Sequence, residues 1–148
     1  MLTQKTRHAL RSLLYIGRQE RGTPVQLAAI ARAEGIPKKY LEQIMNQLRR
    51  AGVVHSSRGP NGGYILARDP ESISFADVVE ATEVASALRF PVPEDELGPA
   101  PLVDAVSNTL CEDAAATLRE ISLADANAAT DNGAALTRSK IAARRTNL

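Results

Sequence analysis

The chain has 148 residues and a formal net charge of +1, room for one compact domain with an appended helix and a loose tail but not for a second full domain. No apolar run approaches the roughly 20 residues a bilayer-spanning helix needs, and the first residues lack the charged-then-apolar layout of a secretory signal. A cytoplasmic protein with no membrane partner is therefore expected, and its one cysteine, Cys111, cannot form a disulfide within the sequence.

The near-zero charge conceals two halves of opposite sign. Residues 1–68 hold twelve Lys or Arg against three Glu, whereas residues 69–148 hold six against fourteen Asp or Glu. A basic half suits a polyanionic partner. The acidic half is better suited to meeting another protein chain.

Thr3 is placed to cap a first helix in which Ala9, Leu10, Leu13, Leu14 and Gly17 follow the helical period, with an end expected near Gly22. Lys5, Arg7 and Arg11 near its start admit two readings, a solvated face or contacts to phosphates. His8 among them reads as a surface or hydrogen-bonded residue rather than a metal ligand. The next stretch, TPVQLAAIARAEG, carries a capping-box pattern with Thr23 as cap, Pro24 in the first helical position and Gln26 reaching back. A helix over 25–34, a break at Gly35 and Ile36, and a second amphipathic helix from Pro37 make a helix-turn-helix.

That second helix has two faces. Tyr40, Leu41, Ile44, Met45 and Leu48 form one stripe for burial. The opposite face carries Lys38, Lys39, Glu42, Gln43, Asn46, Gln47, Arg49 and Arg50, groups that neutralise phosphates or hydrogen-bond base edges. Pro37 stands where a serine or threonine cap is more usual, so a side-chain cap is expected to be missing. Ala51-Gly52 closes the helix.

Val53–Ser56 and Tyr64–Ala67 flank SRGPNGG, with Pro60 and an Asn61-Gly62 turn signal, and predict a two-stranded wing. Arg58, at the base of that wing, is a candidate for the minor groove or its flanking phosphates; the alternative is a surface hairpin with a solvated arginine. Ser74 begins a further helix with Phe75, Val78, Val79 and Thr82 inward, expected to pack beneath the wing. Ser86–Pro101 holds four prolines and one glycine and reads as an acidic connecting loop.

Beyond the loop, Leu102, Val103, Val106, Leu110, Ala114, Thr117, Leu118 and Ile121 mark a long amphipathic helix. It can fold back on its own domain, but its spacing favours pairing with a second protomer. SLADANAAT adds a turn or two, and residues 131–148 are expected to be mobile. The fold class is thus mainly α with a small β-hairpin wing: a winged helix-turn-helix domain over 1–85, a proline-rich loop over 86–101, a dimerisation helix and short following helix over 102–130, and a tail.

The run KYLEQIMNQLRRAGVVHSSRGPNGGYILARDP, with TQKTRHAL before it, resembles the IscR/NsrR/CymR-type (Rrf) family of winged helix-turn-helix regulators. The likeness covers residues 1–83 and extends through LREISLADA to a weaker match over 102–126. It implies a homodimeric transcription factor, usually a repressor, that binds a pseudo-palindrome in double-stranded DNA with one recognition helix and one wing per half-site. Carried over by position, Lys39, Glu42 and Gln43 face bases and Arg49 contacts the backbone. Arg58, Gly59 and the following turn form the wing, Asn61 standing where glycine is commoner.

Sensors of that family commonly hold an iron-sulfur cluster through three cysteines in the loop and at the start of the long helix, plus a fourth ligand. In this sequence the third cysteine position falls at Pro101 and the histidine position of one branch at Asp104. Neither supplies a soft thiolate, so a colourless protein without a cluster or other cofactor is expected. Cys111 is left between two main readings, a small packed residue and a thiol-based redox sensor. A metal site pairing it with Asp104 is a third. The effector, small molecule or protein, is not identified by the sequence. A protein-interaction module is the competing class. An enzyme is poorly supported, because no nucleophile stands at a recognisable spacing from a base and no glycine motif for phosphate follows a strand.

Overall fold

The computed structural model describes residues 2–83 and 101–131. Its elements are α1 (Gln4–Gly17), α2 (Leu27–Glu34), α3 (Lys38–Arg50), strands β1 (Val54–Ser57) and β2 (Gly63–Leu66), a 3-10 turn at Pro70–Ser72, α4 (Phe75–Thr82), α5 (Pro101–Glu120) and α6 (Leu123–Asp131). The mainly helical fold with one antiparallel hairpin is the one the sequence led us to expect. The expected loop over 86–101 lies outside the described residues except for Pro101, which opens α5 instead; a proline is tolerated there because its missing N–H would have no helical partner. The tail expected over 131–148 is also outside them, apart from Asp131 at the end of α6.

Apolar stripes from α1, α2 and α3 meet in one core. Leu10, Leu13 and Ile16 of α1, Ile30 of α2, and Leu41, Ile44, Met45 and Leu48 of α3 are buried together with Val53, Val54, Ile73, Val78 and Leu123. Fully burying each of the larger side chains is worth roughly 2 kcal/mol. Thr3 caps α1 as expected, its hydroxyl accepting from the Thr6 amide at 3.3 Å. The helix stops at Gly17, however, not near Gly22. Gly17 lies under α6, where a Cβ would come 3.0 Å from the Asn127 side-chain amide.

The start of α2 departs from expectation for a tertiary reason. Thr23, Pro24 and Gln26 form no capping box, and the helix begins at Leu27. Val25 is used by the wing: its N–H donates to the Tyr64 carbonyl at 2.9 Å and its carbonyl accepts from the Tyr64 N–H at 2.8 Å. Those bonds hold Val25 in extended backbone, which a helical residue cannot adopt. Gly35, in left-handed conformation with φ 65°, ends α2 as expected.

The wing pairs Val54 with Leu66, His55 with Ile65, Ser56 with Tyr64 and Ser57 with Gly63, one residue along from the strands expected. Its turn is not centred on Asn61-Gly62. Instead the Gly62 N–H closes onto the Gly59 carbonyl at 3.0 Å, leaving Pro60 and Asn61 in the middle, where the fixed φ of proline suits the second turn position. Gly62 is required for approach, since a Cβ there would meet the Ser57 carbonyl oxygen at 2.3 Å.

Helix α4 starts at Ser74 with a capping box to Asp77 and packs on α1, α3 and α5 rather than chiefly beneath the wing. A short internal repeat explains how it is anchored. Ile73-Ser74-Phe75-Ala76-Asp77 and Ile121-Ser122-Leu123-Ala124-Asp125 both end a segment and cap a helix by the same serine–aspartate exchange. The two copies pair with each other: Phe75 N–H donates to the Ile121 carbonyl at 2.8 Å and Leu123 N–H to the Ile73 carbonyl at 2.9 Å. The end of α5 is thereby tied to the start of α4. Among the described residues no helix is long and apolar enough to cross a membrane.

Candidate nucleic-acid interface

Helix α3 buries one side and offers the other. Leu41, Ile44, Met45 and Leu48 have no exposed surface, and Tyr40 is half-buried, packed edge-on against His8 with ring centroids 5.9 Å apart. Lys38, Lys39, Glu42, Gln43, Arg49 and Arg50 are exposed; Asn46 and Gln47 are half-buried at the edge. Arg49 donates to the Asn46 side-chain oxygen at 3.5 Å. Pro37 gives no side-chain cap and the first turn holds no acidic residue, so the helix N-terminus keeps free amides beside two lysines.

Arg58, Gly59, Pro60 and Asn61 are exposed at the far end of the hairpin. Arg58 is the first residue beyond β1, at the tip rather than the base. Gly59 holds φ 105°, a left-handed conformation that glycine adopts without strain.

Ion pairing occupies three of the basic residues outside α3 and the wing tip, while Arg7, Arg18 and Arg32 have no carboxylate partner among the described residues. Arg11 is bound to Glu34 at 2.8 Å, Arg21 to Asp69, and Arg68 to Asp77 at 3.6 Å. Among the described residues no carboxylate pairs with Lys38, Lys39, Arg49, Arg50 or Arg58. The cations of α3 and the wing tip are thus available to phosphates, while three on the flanks are already neutralised. Of the α1 residues left between two readings, Arg11 is satisfied within the fold and Arg7 is exposed.

Sequence reasoning missed two residues, one at this surface and one at the start of α1. Gln26, assigned to a cap, instead donates its side-chain amide to the Pro60 carbonyl at 3.2 Å. Glu83 accepts from the hydroxyls of Thr3 and Thr6, closing α4 onto the start of α1. No local pattern signals either contact, because each joins segments distant in sequence. The ISFAD and ISLAD stretches, by contrast, are a repeat in the sequence that the reading from sequence passed over.

The donor set does not fit a thiolate-held iron-sulfur cluster. The whole sequence holds one cysteine and two histidines; the histidines lie on α1 and β1, and Cys111 is half-buried on α5. One thiolate per chain does not match the ligands a cluster requires. Among the described residues no three His, Cys, Asp or Glu side chains gather at a metal-binding distance.

Known proteins agree with this geometry. CymR (YrzC), the global cysteine regulator of B. subtilis, superposes with TM-score 0.72 and 27% identity, covering 86% of this chain and 96% of its own. T. potens IscR gives TM-score 0.70 and 29% identity over 91% and 90% of the two chains. The HTH-type transcriptional regulator IscR of Escherichia coli (strain K12 / DH10B) is 42% identical over 82 residues, 55% of this chain and 51% of that protein. The chain thus spans about half the length of the curated relatives it matches. A family model described as "Rrf2: Iron-dependent Transcriptional regulator" matches residues 2–140. This chain belongs to the Rrf2 family of winged-helix transcriptional regulators, with too few thiolates to hold an iron-sulfur cluster.

Proposed function

We propose that the protein is a cytoplasmic, homodimeric, sequence-specific DNA-binding regulator, acting as a repressor at a pseudo-palindromic operator. Each half-site receives one α3 in the major groove and one wing tip at the adjacent minor groove. The observation that carries this reading is the placement of the cations: those on α3 and the wing tip are exposed and, among the described residues, without carboxylate partners, and the α3 lysines stand beside uncapped helix amides. Gln43, Lys39 and Glu42 are assigned to base edges, Arg49, Arg50 and Lys38 to phosphates, and Arg58, Gly59 and Asn61 to the wing contact, with Asn46 at the edge of the reading face. Two such heads on a symmetric dimer read half-sites about 10 base pairs apart, or a multiple of that. The dimer is assigned to the helix over 102–121.

Selection of bound fragments from the source genome supplies the operator. On that duplex, Gln43→Ala is expected to relax sequence choice, at a cost of about 1–3 kcal/mol in discrimination, whereas Arg49→Ala weakens all sequences alike and lowers the salt slope by about one. Indistinguishable behaviour of both variants on operator and scrambled DNA refutes the assignment of roles. The signal is sensed without an iron-sulfur cluster, so purified protein is expected to be colourless; a brown preparation containing iron and sulfide overturns that part.

A further inference from the structure

We propose that Gln26 is a positioning residue for the wing, on the premise that α3 and the wing read DNA: by holding the Pro60 carbonyl it sets where Arg58 and Asn61 meet the duplex. A two-stranded hairpin is marginally stable alone and needs external attachment to keep one orientation. Besides the packing of Val54, Tyr64 and Leu66 on the core, two sets of hydrogen bonds among the described residues tie this wing to the segment leading into α2. The first is at strand level, where Val25 and Tyr64 exchange both backbone hydrogen bonds and a Cβ at Gly63 would stand 2.3 Å from the Val25 carbonyl oxygen. Because it is made by backbone, it does not depend on which side chain stands at 25 or 64, proline excepted.

The second attachment is at the tip, and it depends on one side chain. Gln26 stands immediately before α2, the helix that braces α3 through the shared core of Ile30, Ile36 and Leu41. Its side-chain amide reaches the Pro60 carbonyl at 3.2 Å, in the middle of a loop whose other internal bond, Gly62 to Gly59, shapes the turn without fixing it to the body. Arg58 lies two residues before Pro60 and Asn61 one after. A displacement of Pro60 therefore moves both exposed groups relative to Lys39 and Gln43. Asparagine falls one methylene short of this reach, and leucine keeps the bulk but loses the donor.

The test is a titration of wild type, Gln26→Leu, Arg58→Ala and the double variant against the selected operator and a set with each base pair replaced in turn. Gln26→Leu is expected to lose about fivefold in discrimination at base pairs beneath the wing and none at those beneath α3, a loss the size of one exposed hydrogen bond. In the Arg58→Ala background its further loss is expected to be clearly smaller, the non-additivity of two residues acting through a shared contact, with Asn61 carrying the remainder. A merely structural role predicts instead an even loss at all positions and a lower thermal midpoint. An even loss that persists without Arg58, at unchanged midpoint, makes Gln26 a direct phosphate contact and overturns the proposal. Sequence preference kept unaltered by Gln26→Leu also overturns it while leaving the DNA reading intact. A wild-type chain with no sequence preference defeats both.

Discussion

Helices α3 and α5 look alike in sequence and end up differently. Both repeat apolar residues at three- and four-residue steps. In α3 that stripe vanishes into a core shared with α1, α2, α4 and β1. In α5, Val106 and Leu110 remain 51% and 64% exposed. They stand one turn apart and, with Ala105 and Thr109, line a shallow hollow of about 250 Å³. Periodicity reports that a helix has an apolar side; it does not report what covers that side. For α3 the cover is in the same chain, and for α5 we assign it to a second copy. Helix α4 packs against both, so it is the physical connection between them.

The largest expected effect comes from breaking the α5 side of this contrast. Val106→Glu together with Leu110→Glu is expected to give a monomer in sedimentation, with operator affinity reduced by about 100-fold or more because the two half-sites no longer act together. The thermal midpoint is expected to fall only by what dimerisation itself contributes, since within one protomer both side chains face solvent. A dimer that survives both charges places the symmetric contact elsewhere. The matching change in α3, Leu41→Ala, acts in the opposite way: it removes a fully buried side chain and is expected to cost about 3 kcal/mol in chemical denaturation without altering the oligomeric state.

A smaller effect sharpens the contrast within the basic half. Arg58 and Arg21 are both exposed arginines, but Arg21 is paired with Asp69 and Arg58 has no carboxylate partner among the described residues. Arg58→Ala is expected to weaken operator binding by roughly 1–2 kcal/mol, and Arg21→Ala to leave it within about 0.5 kcal/mol. Equal losses from the two would mean that net charge, not placement, controls affinity.

How much of this was readable in advance follows from the range of each interaction. The stripes of α1 and α3, the Thr3 and Ser74 caps, and the stop at Gly35 depend on residues within one or two turns, and the sequence displays them directly. The start of α2 was misplaced because Thr23, Pro24 and Gln26 satisfy a local rule that the Val25–Tyr64 pairing overrides. The wing turn was misplaced for a similar reason: Asn61-Gly62 is a strong hairpin signal, but the need for Gly62 arises from the Ser57 carbonyl pressing against it. On the candidate surface, residue types and their face were legible from α3 alone. The pairing of Arg11, Arg21 and Arg68 was not, since their partners Glu34, Asp69 and Asp77 become neighbours only after folding.

The smallest expected effect concerns how α4, the link between α3 and α5, is fastened to α1. Thr82 donates to the Val78 carbonyl at 2.8 Å and lies 2.8 Å from the Thr6 hydroxyl, while Glu83 accepts from Thr3 and Thr6 with Lys5 nearby. Burial pushes the Glu83 carboxyl up, but the hydroxyl hydrogen bonds and the Lys5 charge outweigh it and hold the group below the ordinary glutamate range. A carboxylate depressed on folding stabilises the native state above its unfolded pKa of about 4.3, and the contribution is lost as pH falls through the lower folded value. Glu83→Gln is therefore expected to lower the thermal midpoint slightly at neutral pH, with wild type and variant converging as the solution is acidified below about pH 4. Curves that stay parallel down the acid limb would show that Glu83 fastens α4 through shape and hydrogen bonding alone, with its charge contributing nothing to the clasp.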